Sequence, residues 1–279
     1  MNIKLIALDL DGTTLRKGAV LSEFTKNTLE EAIDKGVHVV VATGRTFYSL
    51  PEAVLGIKGL EYVITSNGAR VLSLPDRSVI YSNCPDPGSI QTVEEILREY
   101  PQYPIEVFTG GRAYIQREVY EDVRDNGSDY LDASYIVSTR TPVDKIYDFL
   151  LQNAEKIENI NVQFKNPKDK SAMMKRLSSV DTVTVTTSTH HNLEIGGATT
   201  SKADAIRHLC GILNIREENV MAVGDSPNDG AMIEAAGLGI AVANALDEVR
   251  EKADYITLSN DEDGVAFAVN RFVLKNNVK

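Results

Sequence analysis

The stretch "ALDLDGTTL", Ala7 to Leu15, places two aspartates one residue apart at the end of an apolar run. We predict a strand over Ile3 to Leu8, from which Asp9 and Asp11 follow. Residues two apart in an extended chain project to the same side, so both carboxylates are expected on one face at the strand's carboxyl end. Open α/β sheets bind ligands at that end. For an isolated pair, a polar strand exit with a turn at Asp11 and Gly12 is the favoured interpretation, so the pair alone does not indicate a site.

Strands and helices are predicted to alternate on both sides of a dissimilar middle segment. Continuous apolar strands such as "VHVVVA" favour a parallel sheet covered by helices on both faces. Before the middle segment the pattern predicts strands at 3–8, 37–42 and 62–65, helices at 22–35 and 46–55, and a hairpin at 69–82. After it, the pattern predicts helices at 201–213, 228–236 and 246–252, strands at 220–223 and 239–242, a short strand at Tyr255, and a C-terminal helix.

The middle segment is predicted to be an inserted domain. It opens on "NCPDPGS", residues 83–89, whose two prolines and glycine are typical of a linker, and it ends near Gly196 and Gly197. Short strands predominate, including a hairpin over "IEVFTGGRAYIQ", and a helix is predicted to start at Thr141 and Pro142. We therefore predict a core domain formed by 1–82 and 197–279, interrupted by an α+β domain at 83–196.

Composition excludes several classes of function. The net charge is −11, and no block of lysine and arginine follows a pattern suited to a phosphate backbone, so nucleic acid is not an expected partner. The first twelve residues are interpreted as a strand rather than a signal peptide, and no apolar run is long enough to span a bilayer. Two distant cysteines, Cys84 and Cys210, suggest neither a disulfide framework nor a metal site. We expect a cytoplasmic protein without a membrane partner, present as a monomer or weak homodimer.

A second acidic motif supports the interpretation of the first one as part of a binding site. In "VMAVGDSPNDGAM", Val220 to Met232, an apolar strand is again followed by carboxylates, Asp225 and Asp229, with Ser226 and Pro227 in the pattern of a helix cap. Carboxylates that converge at one sheet edge repel each other unless a cation neutralises them. Hard oxygen ligands without histidine or cysteine nearby indicate Mg²⁺, which one or two carboxylates and a substrate phosphate commonly hold.

Two other strand ends offer contacts for a phosphate. In "VVVATGR", the Thr43 hydroxyl and the amides of Gly44 and Arg45 follow a strand, where they form either an anion-binding loop or a plain helix cap. In "TTSKADAI", Lys202 falls in the first turn of a helix, where a cation opposes the helix dipole. A bound phosphate makes this placement favourable, whereas a solvated surface lysine is the alternative.

Taken together and in this order, the motifs resemble those of the haloacid dehalogenase (HAD) superfamily, and more closely its Cof-type subfamily of phosphatases. The resemblance covers the whole chain through "DLDGTTL", "ATGR", "SNGA", "SKADAI", "GDSPNDGAM" and the tail "AVANALDEVREKADYITLSNDEDGVA". It implies a Rossmann-like parallel-sheet core with a large inserted α/β cap. Two positions depart from the subfamily: Ala203 stands where glycine is usual, and no proline precedes Lys202.

The resemblance also implies a role for each motif residue. Asp9 is expected to attack phosphorus and form an aspartyl-phosphate, and Asp11 to protonate the leaving alcohol and then activate water. Mg²⁺ is expected on the Asp9 carboxylate, the Asp11 carbonyl and Asp225, with Asp229 as a ligand or as support for one. The residues expected to hold the phosphoryl group or line the substrate site are Thr43, Gly44, Arg45, Asn67, Lys202 and Asn228.

The sequence thus predicts a magnesium-dependent phosphatase of small phosphorylated metabolites, either sugar phosphates or cofactor phosphates, with specificity set by the inserted domain. Two alternatives stay open: a phosphomutase that returns the phosphoryl group to a second hydroxyl, and a metabolite-binding protein without catalysis. A phospho-accepting receiver domain fits less well, because it is one small domain without an insertion.

Overall fold

A computed structural model describes residues 2–129 and 131–276. The chain divides into two compact units. The first unit comprises the residues up to Gly44, Leu50–Ser82, and the residues from Ser201 onward, whereas the second comprises Arg45–Ser49 and Asn83–Thr200. The short segment Arg45–Ser49 belongs to the second unit although its neighbours on both sides belong to the first. Sequence patterns did not distinguish this segment.

The strands of the described chain are, in order, β1 (Leu5–Leu8), β2 (His38–Ala42), β3 (Tyr62–Thr65), β4 (Arg70–Ser73), β5 (Val79–Ser82), β6 (Ile105–Thr109), β7 (Arg112–Gln116), β8 (Arg140–Val143), β9 (Ile157–Gln163), β10 (Val183–Thr186), β11 (Asn192–Gly197), β12 (Val220–Gly224), β13 (Leu238–Ala241) and β14 (Tyr255–Ile256). The α-helices are α1 (Glu23–Asp34), α2 (Glu52–Leu55), α3 (Pro87–Arg98), α4 (Arg117–Asn126), α5 (Ala133–Thr139), α6 (Ile146–Gln152), α7 (Pro167–Leu177), α8 (Lys202–Leu213), α9 (Gly230–Ala235), α10 (Asp247–Arg250) and α11 (Gly264–Val269). Short 3₁₀ turns occur at Phe47–Ser49, Ser66–Gly68, Ala154–Lys156, Glu217–Asn219, Pro227–Asp229 and Asn260–Glu262, and a π-helical turn at Asn270–Leu274.

The first unit is built on a sheet with the strand order β14-β13-β12-β1-β2-β3-β4-β5. Strands β14 to β3 run parallel, and β4 and β5 add an antiparallel hairpin at one edge. Strand β1 lies between β12 and β2 and is fully buried, with Leu8 opposite Val223 and Val41. Because parallel strands end at the same edge, the residues after these three strands come together. The predicted parallel-sheet core is confirmed.

The second unit holds a separate six-stranded sheet of order β10-β11-β9-β6-β7-β8. Its strands pair antiparallel except for β7 and β8, which are parallel. Apolar side chains from one side of the sheet join those of α3, α6 and α7 in a core cluster that includes Ile160, Val162 and Leu193. The predicted α+β character of the insertion is confirmed.

The helix predicted to start at Thr141 and Pro142 was wrong. These residues lie in β8, which pairs with β7 and places Pro142 opposite Ile115, and the following helix, α6, begins only at Ile146. Proline is tolerated there because β8 is an edge strand. The side of β8 away from β7 has no neighbouring strand, so a missing N–H on that side removes no ladder hydrogen bond. The Thr-Pro pair is typical of a helix start, but pairing with β7 decided its conformation.

Two other boundaries differ from the prediction. The helix predicted at 46–55 is interrupted by Pro51, which is extended (φ −62°, ψ 137°) and separates the 3₁₀ turn at Phe47–Ser49 from α2. The predicted linker at 83–89 already contains the start of α3, whose cap is Asp86: its carboxylate accepts from the N–H groups of Gly88 and Ser89.

Among the described residues, none of the helices combines the length and apolar composition needed to cross a bilayer. Both cysteines, Cys84 and Cys210, are free thiols.

Candidate active site

Three neighbouring strands bring the predicted acidic and hydroxyl residues to one edge of the first unit's sheet. Asp9 follows β1, and its N–H donates to the Val223 carbonyl of β12 at 3.0 Å. Thr43 follows β2, and its N–H donates to the Ile64 carbonyl of β3 at 2.9 Å, while its own carbonyl accepts from Asn67 N–H at 3.0 Å. The ladder thus fixes the backbone of these motif residues.

Asp9, Asp225 and Asp229 form a carboxylate cluster. One oxygen from each residue lies within 4.8 Å of those of the other two. Asp229 is fully buried and Asp9 is 6% exposed. Such a concentration of buried negative charge requires a cation close by.

Lys202 supplies one positive charge to this cluster. Its Nζ donates to Asp9 Oδ1 at 2.6 Å and to Asp229 Oδ1 at 2.7 Å, and its side chain is fully buried. The surface-lysine interpretation of this residue is therefore wrong. A lysine in the first turn of α8 opposes the helix dipole, and the two carboxylates compensate for that cost.

The start of α8 is held from two sides. Ser201 caps the helix, and its Oγ accepts from Asp204 N–H at 3.1 Å. Gly68, in the "SNGA" motif, packs against the same point with φ +103°, where a Cβ would lie 2.1 Å from the Ser201 carbonyl oxygen. Only glycine permits this approach, so the motif helps to set the position of Lys202.

Asp229 is fully engaged by the protein itself. Its Oδ1 contacts Lys202, and its Oδ2 accepts from the N–H groups of Asp225 and Ser226, each at 3.0 Å. With Ser226, it forms the capping box of the 3₁₀ turn at Pro227–Asp229. The cap predicted at Ser226 and Pro227 is therefore present, and Asp229 fixes both the lysine and the loop that carries Asp225.

Asp225 is oriented by two hydroxyl groups. Thr13 Oγ1 donates to its Oδ1 at 2.6 Å, and Ser226 Oγ donates to its Oδ2 at 2.9 Å. Thr14 Oγ1 donates to the backbone carbonyl of Asp9. The threonines of "DLDGTTL" thus tie the first acidic motif to the second, a role that the sequence pattern did not reveal.

Burial and neighbouring charge shift the ionisation of the site. Burial raises the pKa of Asp9 well above the ordinary value, Lys202 opposes that shift, and the other two carboxylates add to it. Burial, followed by the charge of Asp229, also raises the pKa of Asp225. Burial alone would lower the pKa of Lys202, but the charges of Asp229 and Asp9 outweigh it and raise the pKa. Lys202 is thus an ammonium at neutral pH, and a further cation would favour the ionised carboxylates.

Asp11 is placed differently from Asp9. Strand β1 ends at Leu8, and the chain turns at Leu10, whose carbonyl accepts from the N–H groups of Thr13 and Thr14. Strand alternation therefore does not extend to Asp11, and the expectation that Asp9 and Asp11 share one face stays a prediction. Asp11 is exposed, and the carboxylate cluster does not include its side chain.

Asn67 and Asn228 meet at the same sheet edge. Asn228 Nδ2 donates to Asn67 Oδ1 at 3.0 Å, and Asn67 adopts the left-handed conformation (φ 58°). The remaining amide atoms, Asn67 Nδ2 and Asn228 Oδ1, are buried without a hydrogen-bond partner. Buried polar atoms in this state are suited to a ligand.

Gly44 and Arg45 lie at the point where the two units divide. Gly44 belongs to the first unit and Arg45 to the second. The Arg45 guanidinium donates to the Ser49 carbonyl at 2.9 Å and lies 4.6 Å from the centre of the Tyr135 ring. The anion-binding role expected for these two residues stays a prediction.

Sequence reasoning also missed the residues that hold the loop after Asp11. Asn244 Nδ2 donates to the Gly12 carbonyl at 2.7 Å, and Asn260 N–H donates to Asn244 Oδ1 at 2.9 Å. Asn260 Nδ2 in turn donates to the Leu15 carbonyl at 2.8 Å. Both asparagines belong to the tail motif that was recognised in the sequence. Nothing in that motif indicated that they contact residues more than two hundred positions away.

Asn244→Ala is expected to lower kcat by roughly 10-fold with little change in stability, because the loop that carries Asp11 loses a support and small misplacements reduce catalysis strongly. Steady-state kinetics on an aryl phosphate checks this. The matched control is Asn219→Ala, which also removes an exposed amide bonded to a distant carbonyl, that of Asn2. Equal rates for the two variants would show that Asn244 has no positioning role.

Comparison with known proteins assigns the family. The model of the haloacid dehalogenase-like hydrolases matches residues 6–269. A 5-amino-6-(5-phospho-D-ribitylamino)uracil phosphatase of Bacillus subtilis is 32% identical over 98% of this chain and 97% of its own length. A second phosphatase of Bacillus subtilis is 34% identical over 95% of this chain and 98% of its own. The solved structure of a haloacid dehalogenase-like hydrolase from the same organism, 31% identical, superimposes with a TM-score of 0.82 over 97% of this chain and 100% of that one.

The chain therefore belongs to the haloacid dehalogenase-like hydrolases. The predicted enzyme class, a phosphatase of this superfamily, is confirmed by the same relatives.

Proposed function

We propose that the protein is a Mg²⁺-dependent phosphatase that hydrolyses small phosphorylated metabolites through an aspartyl-phosphate at Asp9. The observation that carries the proposal is the buried contact of Lys202 with both Asp9 and Asp229, at 2.6 and 2.7 Å. A buried ammonium beside a nucleophilic carboxylate is suited to bind the oxygens of a phosphoryl group. The named activity of the ribitylaminouracil phosphatase supports the class of small phosphorylated substrates.

The donor set of the carboxylate cluster fits Mg²⁺. It offers hard carboxylate oxygens within 4.8 Å of one another, and Lys202 leaves part of their negative charge uncompensated. Asp9 and Asp225 would hold the ion together with the Asp11 carbonyl, while Asp229, whose oxygens already contact Lys202 and two N–H groups, would orient the site. When bound, the ion would neutralise charge on the phosphoryl oxygens and the attacking carboxylate.

The chain's own residues then account for both chemical steps. In the first, an Asp9 carboxylate oxygen attacks phosphorus, the bond to the substrate's ester oxygen breaks, and Asp11 gives that oxygen a proton. In the second, Asp11 takes a proton from water, whose oxygen attacks the same phosphorus and releases inorganic phosphate and free Asp9. Thr43, Asn67, Lys202 and Asn228 would hold the phosphoryl oxygens throughout.

We assign the choice of substrate to the second unit, which is the domain inserted into the core. The cytoplasmic location and the monomeric or weakly dimeric state expected from the sequence stay predictions.

Phosphate release across sugar phosphates, flavin mononucleotide and pyridoxal phosphate, with Mg²⁺ and with excess chelator, tests the proposal. We expect turnover of at least one ester, a loss of roughly 100-fold or more with chelator, and recovery when Mg²⁺ is restored. Turnover that persists in chelator would contradict the metal assignment. Isomerised sugar phosphate with little free phosphate would instead indicate the phosphomutase.

A further inference from the structure

The first turn of α8 is held from opposite sides. Lys202 and Asp204 are two residues apart in the helix, which places their side chains about 200° apart around its axis. On one side, the Lys202 ammonium contacts Asp9 and Asp229. On the other side, the Asp204 carboxylate contacts Tyr81 of β5. A contact made by Asp204 therefore affects where Lys202 lies.

Tyr81 reaches Asp204 from the edge of the first unit's sheet. Its hydroxyl donates to Asp204 Oδ2 at 2.5 Å, and the Asp204 side chain is only 16% exposed. The ring of His208, one helical turn after Asp204, stacks on the Tyr81 ring with 4.1 Å between centroids and 22° between planes. His208 Nδ1 also donates to the Asp204 carbonyl at 2.9 Å. The stacking fixes the direction of the tyrosine hydroxyl.

The helix itself has other sources of stability. Ser201 supplies its cap, and Ala205, Ile206 and Leu209 pack in the apolar core of the first unit. A carboxylate in the first turn interacts favourably with the helix dipole whether or not a tyrosine contacts it. The Tyr81 hydroxyl therefore adds a fixed position for the first turn rather than the helix as such.

This position matters because α8 begins directly after a chain crossing. The first unit ends at Ser82 and resumes at Ser201. The hydrogen bond from Tyr81 to Asp204 thus joins the segment that leaves the first unit to the segment that returns to it. Helix ends fray, and this end carries the ammonium of the phosphate site. A contact that holds it in place preserves the geometry of that site.

We propose that Tyr81 and Asp204 are positioning residues for Lys202: their hydrogen bond fixes the first turn of α8 so that the ammonium reaches both Asp9 and Asp229. This inference rests on the proposed phosphatase function, in which Lys202 binds the phosphoryl oxygens. Tyr81 and Asp204 act through Lys202 and not by contact with the substrate. Misplacement of a charged group reduces transition-state stabilisation, so the loss of this bond should lower kcat.

Tyr81→Phe tests the hydroxyl alone, because phenylalanine keeps the stacking on His208. We expect kcat for p-nitrophenyl phosphate to fall by about 10-fold and KM to change by less than about 3-fold. The matched control is Tyr255→Phe. Tyr255 lies in β14, at the other edge of the same sheet, and its hydroxyl accepts from the Arg271 guanidinium at 3.1 Å. This control should keep the wild-type kcat, and circular dichroism establishes that each variant is folded at the assay temperature.

Substitutions at Asp204 and Lys202 separate positioning from general structural support. Asp204→Asn keeps an oxygen that accepts from Tyr81 and should retain kcat within about 3-fold, whereas Asp204→Ala should match Tyr81→Phe. The double variant Tyr81→Phe/Asp204→Ala should fall no further than either single variant. In a Lys202→Met background, Tyr81→Phe should change kcat by less than about 2-fold, because the group that it positions is absent. Should Lys202→Met not fold, the comparison of Asp204→Asn with Asp204→Ala decides.

Lysine-selective NMR of the Lys202 ammonium gives a measurement that needs no turnover. Lys202→Arg identifies the signal by its loss. Exchange of the ammonium hydrogens with solvent should be at least about 3-fold faster in Tyr81→Phe than in the wild type or in Tyr255→Phe.

Three kinetic results would overturn the inference: an undiminished kcat in folded Tyr81→Phe, a loss of the same size in the Lys202→Met background, or an Asp204→Asn variant as impaired as Asp204→Ala. If the wild type hydrolyses no phosphate ester, the phosphatase proposal fails by itself. The exchange rate then decides, since faster exchange in Tyr81→Phe supports the positioning of Lys202 and an unaltered rate refutes it.

Discussion

Asp9→Asn is expected to reduce phosphate release from an aryl phosphate by at least roughly 10⁴-fold, because a carboxamide lacks the charge and nucleophilicity that attack on phosphorus requires. The fold should persist. Lys202 keeps its contact with Asp229, and the substitution removes one charge from a cluster of three carboxylates. We expect a melting temperature equal to or above that of the wild type, since burial already disfavours the Asp9 carboxylate.

Asp34→Asn is the matched control for this substitution. Asp34 is an exposed residue at the end of α1, and its replacement should leave both rate and melting temperature unchanged. If Asp9→Asn retained more than about one-hundredth of wild-type turnover, another group would have to be the nucleophile.

Lys202→Met is expected to lose both activity and stability. Removing the ammonium takes away a donor to the phosphoryl oxygens, and the loss of one such donor lowers kcat by roughly 10²- to 10³-fold. It also leaves Asp9 and Asp229 buried without their cation, at a cost of about 3–5 kcal/mol in unfolding free energy. The raised pKa of Lys202 also indicates that the ammonium stabilises the folded state. This contribution is complete at neutral pH and is lost only as the pH rises through the pKa of the folded state.

Two further variants separate charge from geometry at this position. Lys202→Arg keeps the charge but not the compact ammonium that fits between two carboxylates, so it should recover stability more fully than activity. Lys58→Met removes an exposed lysine of the first unit and should affect neither. Wild-type turnover in a folded Lys202→Met protein would contradict the role given to the lysine.

Local sequence was sufficient to predict the parts of the site that depend on strand ends. Asp9, Thr43 and Asp225 each follow an apolar run, and in a parallel sheet the ends of such runs meet at one edge. The burial of Lys202 could not be predicted from the local sequence, because a lysine in the first turn of a helix is usually solvated. The burial of this ammonium is explained by two carboxylates that lie within 2.7 Å of it, and only the tertiary structure shows these contacts.

Other features depend on contacts between distant segments. Proline at 142 resembled a helix start, but edge pairing with β7 made it a strand. The hydrogen bond from Asn244 to the Gly12 carbonyl joins residues that are far apart in the chain. In β9, Asn159 Oδ1 and Gln163 Nε2 are buried without a hydrogen-bond partner, which the alternation of amide and apolar residues does not predict. Periodicity indicates a face, and only tertiary structure indicates what the face contacts.

Acid quenching during turnover, followed by mass spectrometry of the peptide that contains Asp9, tests the central claim most directly. We predict that this peptide carries one additional phosphoryl group in wild-type protein turning over an aryl phosphate with Mg²⁺. The same peptide should be unmodified in Asp9→Asn, and the modification should disappear once substrate is exhausted. A phosphoryl group on another residue, or rapid turnover of Asp9→Asn without one, would contradict the assignment of Asp9 as the nucleophile.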